Sequence, residues 1–172
     1  GGAKSQALVA IALAESFIDD GVILCCREIQ KSIADSLYAA LVNSIYKYKL
    51  DSYFKILQTE ITNLVTGSRF IFAGLKTNIT SIKSIDKLRV VLTDEAENIS
   101  QTSWDYLRPT PRYGHVRFYI VFNPRFESDA TWQEFVVKKD SRTLHTTINY
   151  YDRSEEHTSE LQSQSTISYA VF

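Results

Sequence analysis

The chain of 172 residues contains no methionine, and its only two cysteines, Cys25 and Cys26, are neighbours. Adjacent residues of a strand point to opposite faces, so these thiols cannot readily pair. They read as buried thiols of a reducing cytoplasm. No apolar run reaches the eighteen residues that a membrane-spanning helix requires. Neither sign of charge is in excess, with 19 Lys and Arg against 20 Asp and Glu. That balance does not exclude a nucleic-acid partner, for which a local basic patch suffices. His115 and His145 have no cysteine or carboxylate pattern of metal-ligand spacing around them. A nucleophile elbow, a glycine-rich dinucleotide fingerprint and an internal repeat are also missing. Length and a 44% hydrophobic share are sufficient for the core of one α/β domain.

Two short motifs carry chemistry. Gly1-Gly2-Ala3-Lys4-Ser5 has the form of the end of a phosphate-binding loop, in which backbone amides and a helix N-terminus cradle phosphates. Lys4 would reach the β- and γ-phosphates of ATP, and the Ser5 hydroxyl would sit on Mg²⁺. Ala3 stands where such loops carry their last glycine, and the apolar run 7–14 supplies the buried helix that follows. About ninety residues later, Val90-Val91-Leu92-Thr93 leads into Asp94-Glu95. This describes a buried strand delivering two carboxylates to its C-terminal edge, where open α/β sheets bind ligands. Asp94 suits the Mg²⁺ shell, and Glu95 suits the base that polarises the attacking water. Taken singly, the first motif also reads as a flexible N-terminus before a helix, and the second as a strand ending in a solvated acidic turn.

Strand and helix signals alternate along the chain. A helix is expected over 4–17, then the turn Asp19-Asp20-Gly21, a strand over 22–26, and a long amphipathic helix over 30–47. Ile33, Leu37, Ala40, Leu41, Ser44 and Ile45 fall near one face of that helix, and Tyr38, Tyr46 and Tyr48 read as packing residues. Residues 61–65 and 69–73, around Thr66-Gly67-Ser68, predict an antiparallel hairpin annexed to a parallel sheet. A short helix or loop over 78–84 precedes the acidic strand at 88–93. A helix begins in 97–104 and breaks near Pro109 and Pro111. The strand 116–122 is almost wholly apolar and therefore central. A helix over 130–138 and a strand over 143–151 complete the order.

Residues 153–172 are of another kind. Arg153-Ser154-Glu155-Glu156-His157-Thr158-Ser159-Glu160-Leu161-Gln162-Ser163 matches the translation of a common short-read sequencing adapter, and Ile167-Ser168-Tyr169-Ala170-Val171-Phe172 continues it in frame. Such a segment is set aside before fold reasoning. Without Arg153, Glu155, Glu156 and Glu160, 18 bases face 17 acids, and the net charge moves from −1 to +1. With no methionine present, residues 1–152 read as an internal fragment entered within the phosphate loop. The strand preceding such a loop would then be absent, leaving an unpaired slot beside strand 116–122.

The chain resembles the ATPase domain of the large subunit of tailed-phage terminases, in the branch related to defective Bacillus prophages. The resemblance rests on an ordered series over residues 1–151. The first part comprises Gly-Gly-Ala-Lys-Ser, the strand 22–26 closed by Arg27, Ser32-Ile33-Ala34-Asp35-Ser36, and Thr66 to Leu75. The second comprises Ile82-Lys83-Ser84, Asp94 to Ser100, Thr110-Pro111-Arg112, and the strand 116–122 finished by Asn123-Pro124. It implies a P-loop NTPase-type, mainly parallel α/β sheet with flanking helices and an added β-hairpin. In this family the cofactor pair is ATP and Mg²⁺. Gly1, Gly2, Ala3, Lys4 and Ser5 would bind the nucleotide, Ser5 and Asp94 the metal, and Glu95 would be the catalytic base. Asn123 matches the coupling motif that senses the γ-phosphate. Arg27 and Arg112 fall near the ATP edge, where either could act as an arginine finger or belong to a surface ion pair. The implied work is translocation of double-stranded DNA into procapsids in the host bacterial cytoplasm. The implied partners are a small terminase subunit and the portal, around a homo-oligomeric ring with no membrane. The family's nuclease domain is not expected within these residues. A helicase-like P-loop ATPase, or a DNA- or partner-binding module with a dead nucleotide site, are the alternatives.

Overall fold

The computed structural model describes residues 2–29, 37–109, 115–138, 141–148 and 165–171. Helix α1 (Gly2–Ser16) leads through Gly21 into strand β1 (Val22–Arg27). Helix α2 (Ala39–Lys47) is followed by β2 (Phe54–Ile56), β3 (Glu60–Asn63) and β4 (Arg69–Gly74). Helix α3 (Leu75–Lys83), β5 (Leu88–Thr93), α4 (Gln101–Leu107) and β6 (Arg117–Phe122) come next. The short helix α5 (Ala130–Trp132) runs on as a π-helical turn, Gln133–Val137, before β7 (Thr143–Ile148) and β8 (Ser165–Val171).

These strands form one sheet in the order β2-β3-β4-β1-β5-β6-β8-β7. Its centre, β4-β1-β5-β6, is parallel throughout. The reason lies in composition, since strands covered on both faces read as continuous apolar runs, and β1 is buried at every position. Leu8, Val9, Ala12 and Leu13 of α1, with Leu41 and Ile45 of α2, cover one face over Ile23, Cys25, Val90 and Leu92. Leu75, Ile82, Trp104, Leu107 and Phe135 cover the other over Leu24, Cys26, Val91, Phe118 and Ile120. The expected mixed α/β architecture is therefore present, with helices on both sides of a mainly parallel sheet.

The hairpin forms as β3 against β4, antiparallel, and β4 also joins β1 in parallel. One strand beyond the expectation, β2, extends this edge antiparallel to β3. Helix α3 begins at Leu75, earlier than expected, and bends at Asn78 (φ −119°, ψ 18°). Helix α4 starts at an N-cap, with Ser103 N donating to Ser100 Oγ at 3.2 Å. The first half of the predicted helix 30–47, including Ile33, lies outside the described residues, as do Pro111 and the end of the predicted strand 143–151.

Two expectations need correction. Tyr46 and Tyr48 are not packing residues, being 59% and 56% exposed. They occupy the C-terminal end of α2 away from the buried Leu41 and Ile45. Tyr38 does pack, edge-on to Phe72 at 5.1 Å, and donates to the Leu57 carbonyl at 2.9 Å. The slot beside β6 is not empty either, because β8 pairs antiparallel with β6 from Arg117 opposite Val171 to Phe122 opposite Thr166. The amides and carbonyls of a buried strand edge are costly to leave unpaired, and a backbone ladder can be supplied by any extended segment.

Gly21 sets the entry to β1. Its φ is +121°, and a Cβ placed there would lie 2.9 Å from the Lys87 carbonyl. The same carbonyl accepts from Val22 N at 2.8 Å, and Arg69 N donates to the Gly21 carbonyl at 2.9 Å. Gly21→Ala is therefore expected to lower stability by about 1–3 kcal/mol, read as a shifted midpoint in urea unfolding. An unchanged midpoint would show that this turn relaxes freely.

Candidate active site

Parallel strands end together, so β1, β5 and β6 bring Arg27, Asp94 and Asn123 to one edge. Helix α1 starts at that same edge and adds Lys4 and Ser5 from its first turn. Lys4 Nζ donates to Asn123 Oδ1, and Ser5 Oγ donates to Asp94 Oδ2 at 3.3 Å. Residues far apart in sequence thus converge at the carboxyl end of the sheet, the position at which open α/β folds bind ligands. Burial holds the Lys4 ammonium below its ordinary pKa, while Glu97 and Asp94 pull it back up.

The acidic pair is tightly held. Asp94 is buried and accepts from Arg27 Nη2 at 2.6 Å, while its Oδ1 accepts from the Glu95 amide at 3.0 Å. Glu95 is half exposed and lies 3.3 Å from Arg27 Nη1. Its backbone is left-handed (φ 51°, ψ 40°), a conformation that non-glycine residues seldom adopt outside constrained sites. The loop behind it is braced, since the Ala96 carbonyl accepts from Thr131 Oγ1, which in turn accepts from Trp104 Nε1 at 2.8 Å.

Glu97 belongs to the same group, although the sequence motifs assigned it no role. Its buried carboxylate accepts from Asn123 N at 3.1 Å and lies 3.7 Å from Arg125. The one signal in the sequence was a third acid in the run Asp94-Glu95-Ala96-Glu97. Gly2 opens α1 as backbone, whereas Gly1 and Arg112 lie outside the described residues, and the Ala3 side chain is likewise not described.

A model of the phage terminase large subunit family matches residues 1–168. The chain belongs to that family. The match continues into the stretch 153–172 that reads as translated adapter. Among solved structures, the terminase chain is similar to the large terminase from a thermophilic bacteriophage. The TM-score is 0.61 at 11% identity, over 78% of this chain and 33% of the thermophilic phage protein. At that identity the likeness concerns the fold, and the terminase chain spans about a third of that protein's length. An O-methyltransferase from Bacillus cereus also aligns, at TM-score 0.43 and 10% identity over 99% of this chain and 81% of its own. That score is too low to carry an argument. No curated protein matches the sequence.

The donor set of the terminase chain fits Mg²⁺ and a polyphosphate. Hard oxygen donors, one hydroxyl and one carboxylate, stand 3.3 Å apart, and magnesium is typically held by one or two carboxylates together with substrate phosphates. An ammonium and a helix N-terminus adjoin them, the pairing that attracts anions. Among the described residues no group of three or more His, Cys, Asp or Glu gathers to hold a metal. No helix among them is long and apolar enough to cross a membrane.

Proposed function

We propose that the chain is the ATP-hydrolysing motor unit of a phage terminase large subunit, driving double-stranded DNA into procapsids. The observation that carries the reading is the convergence of Lys4, Ser5, Asp94 and Asn123 at one sheet edge. Lys4 and the first turn of α1 bind the β- and γ-phosphates of ATP. Ser5 and Asp94 would hold Mg²⁺, which supplies charge neutralisation on the phosphates when bound. Glu95 accepts the proton of the attacking water, and Asn123, already in contact with Lys4, responds to the state of the γ-phosphate. The motor works as a homo-oligomeric ring in the host bacterial cytoplasm, with the small terminase subunit and the portal as partners.

The test is Lys4→Ala in the complete gene product, with ATP binding and DNA-stimulated phosphate release measured side by side. Loss of a phosphate-chelating ammonium is expected to weaken Mg·ATP binding at least tenfold, or about 1.4 kcal/mol. Unchanged binding and turnover would remove this edge as the nucleotide site.

A further inference from the structure

Arg27 closes β1 at the site edge, yet both of its terminal nitrogens are already engaged. Nη2 meets Asp94 Oδ2 at 2.6 Å, and Nη1 meets Glu95 Oε2 at 3.3 Å. The Arg27 side chain is 7% exposed and that of Asp94 6%, whereas that of Glu95 is 52% exposed. Two carboxylates on consecutive residues repel each other, and holding both at one edge requires a compensating charge. A guanidinium is a planar fork able to serve two acids at once, which an ammonium cannot do with the same geometry. Beside it, Ser5 Oγ also donates to Asp94 Oδ2, so the three elements α1, β1 and β5 meet on a single carboxylate. An arginine that stabilises phosphoryl-transfer charge must turn its guanidinium to the phosphate, and the fork of Arg27 is turned to the acids.

We infer that Arg27 is a positioning residue for the acidic pair: it fixes Asp94 and tethers the carboxylate of Glu95, and it affects hydrolysis through them rather than by contact with nucleotide. The inference rests on the motor reading for its catalytic half, while the pairing half stands on the ion pairs themselves. Two consequences separate it from a finger role. Arg27 is energetically coupled to Asp94 with no nucleotide present, and its loss lowers turnover without weakening nucleotide binding.

The experiment prepares Arg27→Gln and Arg27→Lys in the complete gene product, each with Asp94 retained or combined with Asp94→Asn. Thermal unfolding is followed without nucleotide, and binding of a fluorescent ATP analogue with Mg²⁺ and steady-state turnover are measured on the series that retains Asp94. Arg27→Gln is expected to lower the unfolding midpoint by about 5–10 °C with Asp94 present, and by much less when combined with Asp94→Asn. Nucleotide affinity should stay within about threefold while turnover falls by about 10²-fold. Arg27→Lys keeps the charge and recovers most of the midpoint but only part of the turnover, which keeps the proposal testable if the glutamine variant does not fold. A midpoint loss that is the same with and without Asp94→Asn would overturn the inference, as would a fall in affinity matching the fall in turnover. Failure of the motor reading appears separately, as a parent protein that binds no Mg·ATP. The unfolding series then still upholds or overturns the pairing.

Discussion

Glu95→Gln is expected to lower ATP turnover by about 10²–10⁴-fold while leaving ATP binding close to that of the parent. The carboxylate is half exposed at the sheet edge, where a water molecule can reach it, and its backbone is held in the left-handed region by the braced loop behind it. Glutamine keeps the shape of the side chain and an oxygen for Arg27 Nη1, but it cannot accept a proton from water. In the proposed reading phosphate contacts come from Lys4 and the start of α1, so affinity should not depend on Glu95. Single-turnover hydrolysis beside a binding titration reads both quantities. Near-normal hydrolysis by the variant would exclude Glu95 as the proposed base.

The second large effect is expected at the other end of α1. Glu15 is 3% exposed, and its carboxylate meets Arg89 Nη1 at 3.0 Å, Arg117 Nη2 at 2.7 Å and the Tyr119 hydroxyl at 2.7 Å. Arg89 additionally donates to the Glu15 carbonyl. Removing one partner of a buried ionic group leaves the others uncompensated, so Glu15→Ala should cost about 3–5 kcal/mol. Glu15→Gln, which still accepts from Tyr119, should cost less. Urea unfolding measures both, and an alanine cost below about 1 kcal/mol would mean that the two arginines find solvent instead. The network bolts α1 to the starts of β5 and β6, the strands whose far ends carry Asp94 and Asn123. Loosening it should therefore disturb the spacing between Lys4 and its partners as well as stability.

Buried strands were legible where composition left one choice. The largely apolar stretches of β1, β5 and β6 read as strands of a parallel sheet, with 116–122 central, and adjacent acids after one of them marked its carboxyl edge. The same edge logic put Lys4 and Ser5 near Asp94, and in the structure Ser5 bonds Asp94 while Lys4 bonds Asn123. Other features depended on information that a linear pattern does not hold. Strand β2 is three residues long, and its assignment comes from pairing with β3 rather than from its own alternation. Tyr46 and Tyr48 read as packing residues by their type, but the solvent side at the end of α2 is decided by what packs against it. Glu15 resembled any helical surface acid, because Arg89 and Arg117 are 74 and more residues away in sequence. The engagement of Arg27 with both acids was hidden for the same reason, being a property of three chain segments meeting at one point.

Cys25 and Cys26 give the molecule a pair of internal clocks. Burial raises both thiols well above their ordinary pKa, and only thiolate reacts with alkylating reagents. Each cysteine therefore takes up label when its own side of the sheet opens: Cys25 when α1 and α2 lift away, Cys26 when α3, α4 and α5 do. In two single-cysteine chains the rate of mass increase would time the departure of each helical layer separately. The neighbouring thiols of β1 would then reveal whether the layer bearing Lys4 and Ser5 loosens before, after or together with the layer opposite.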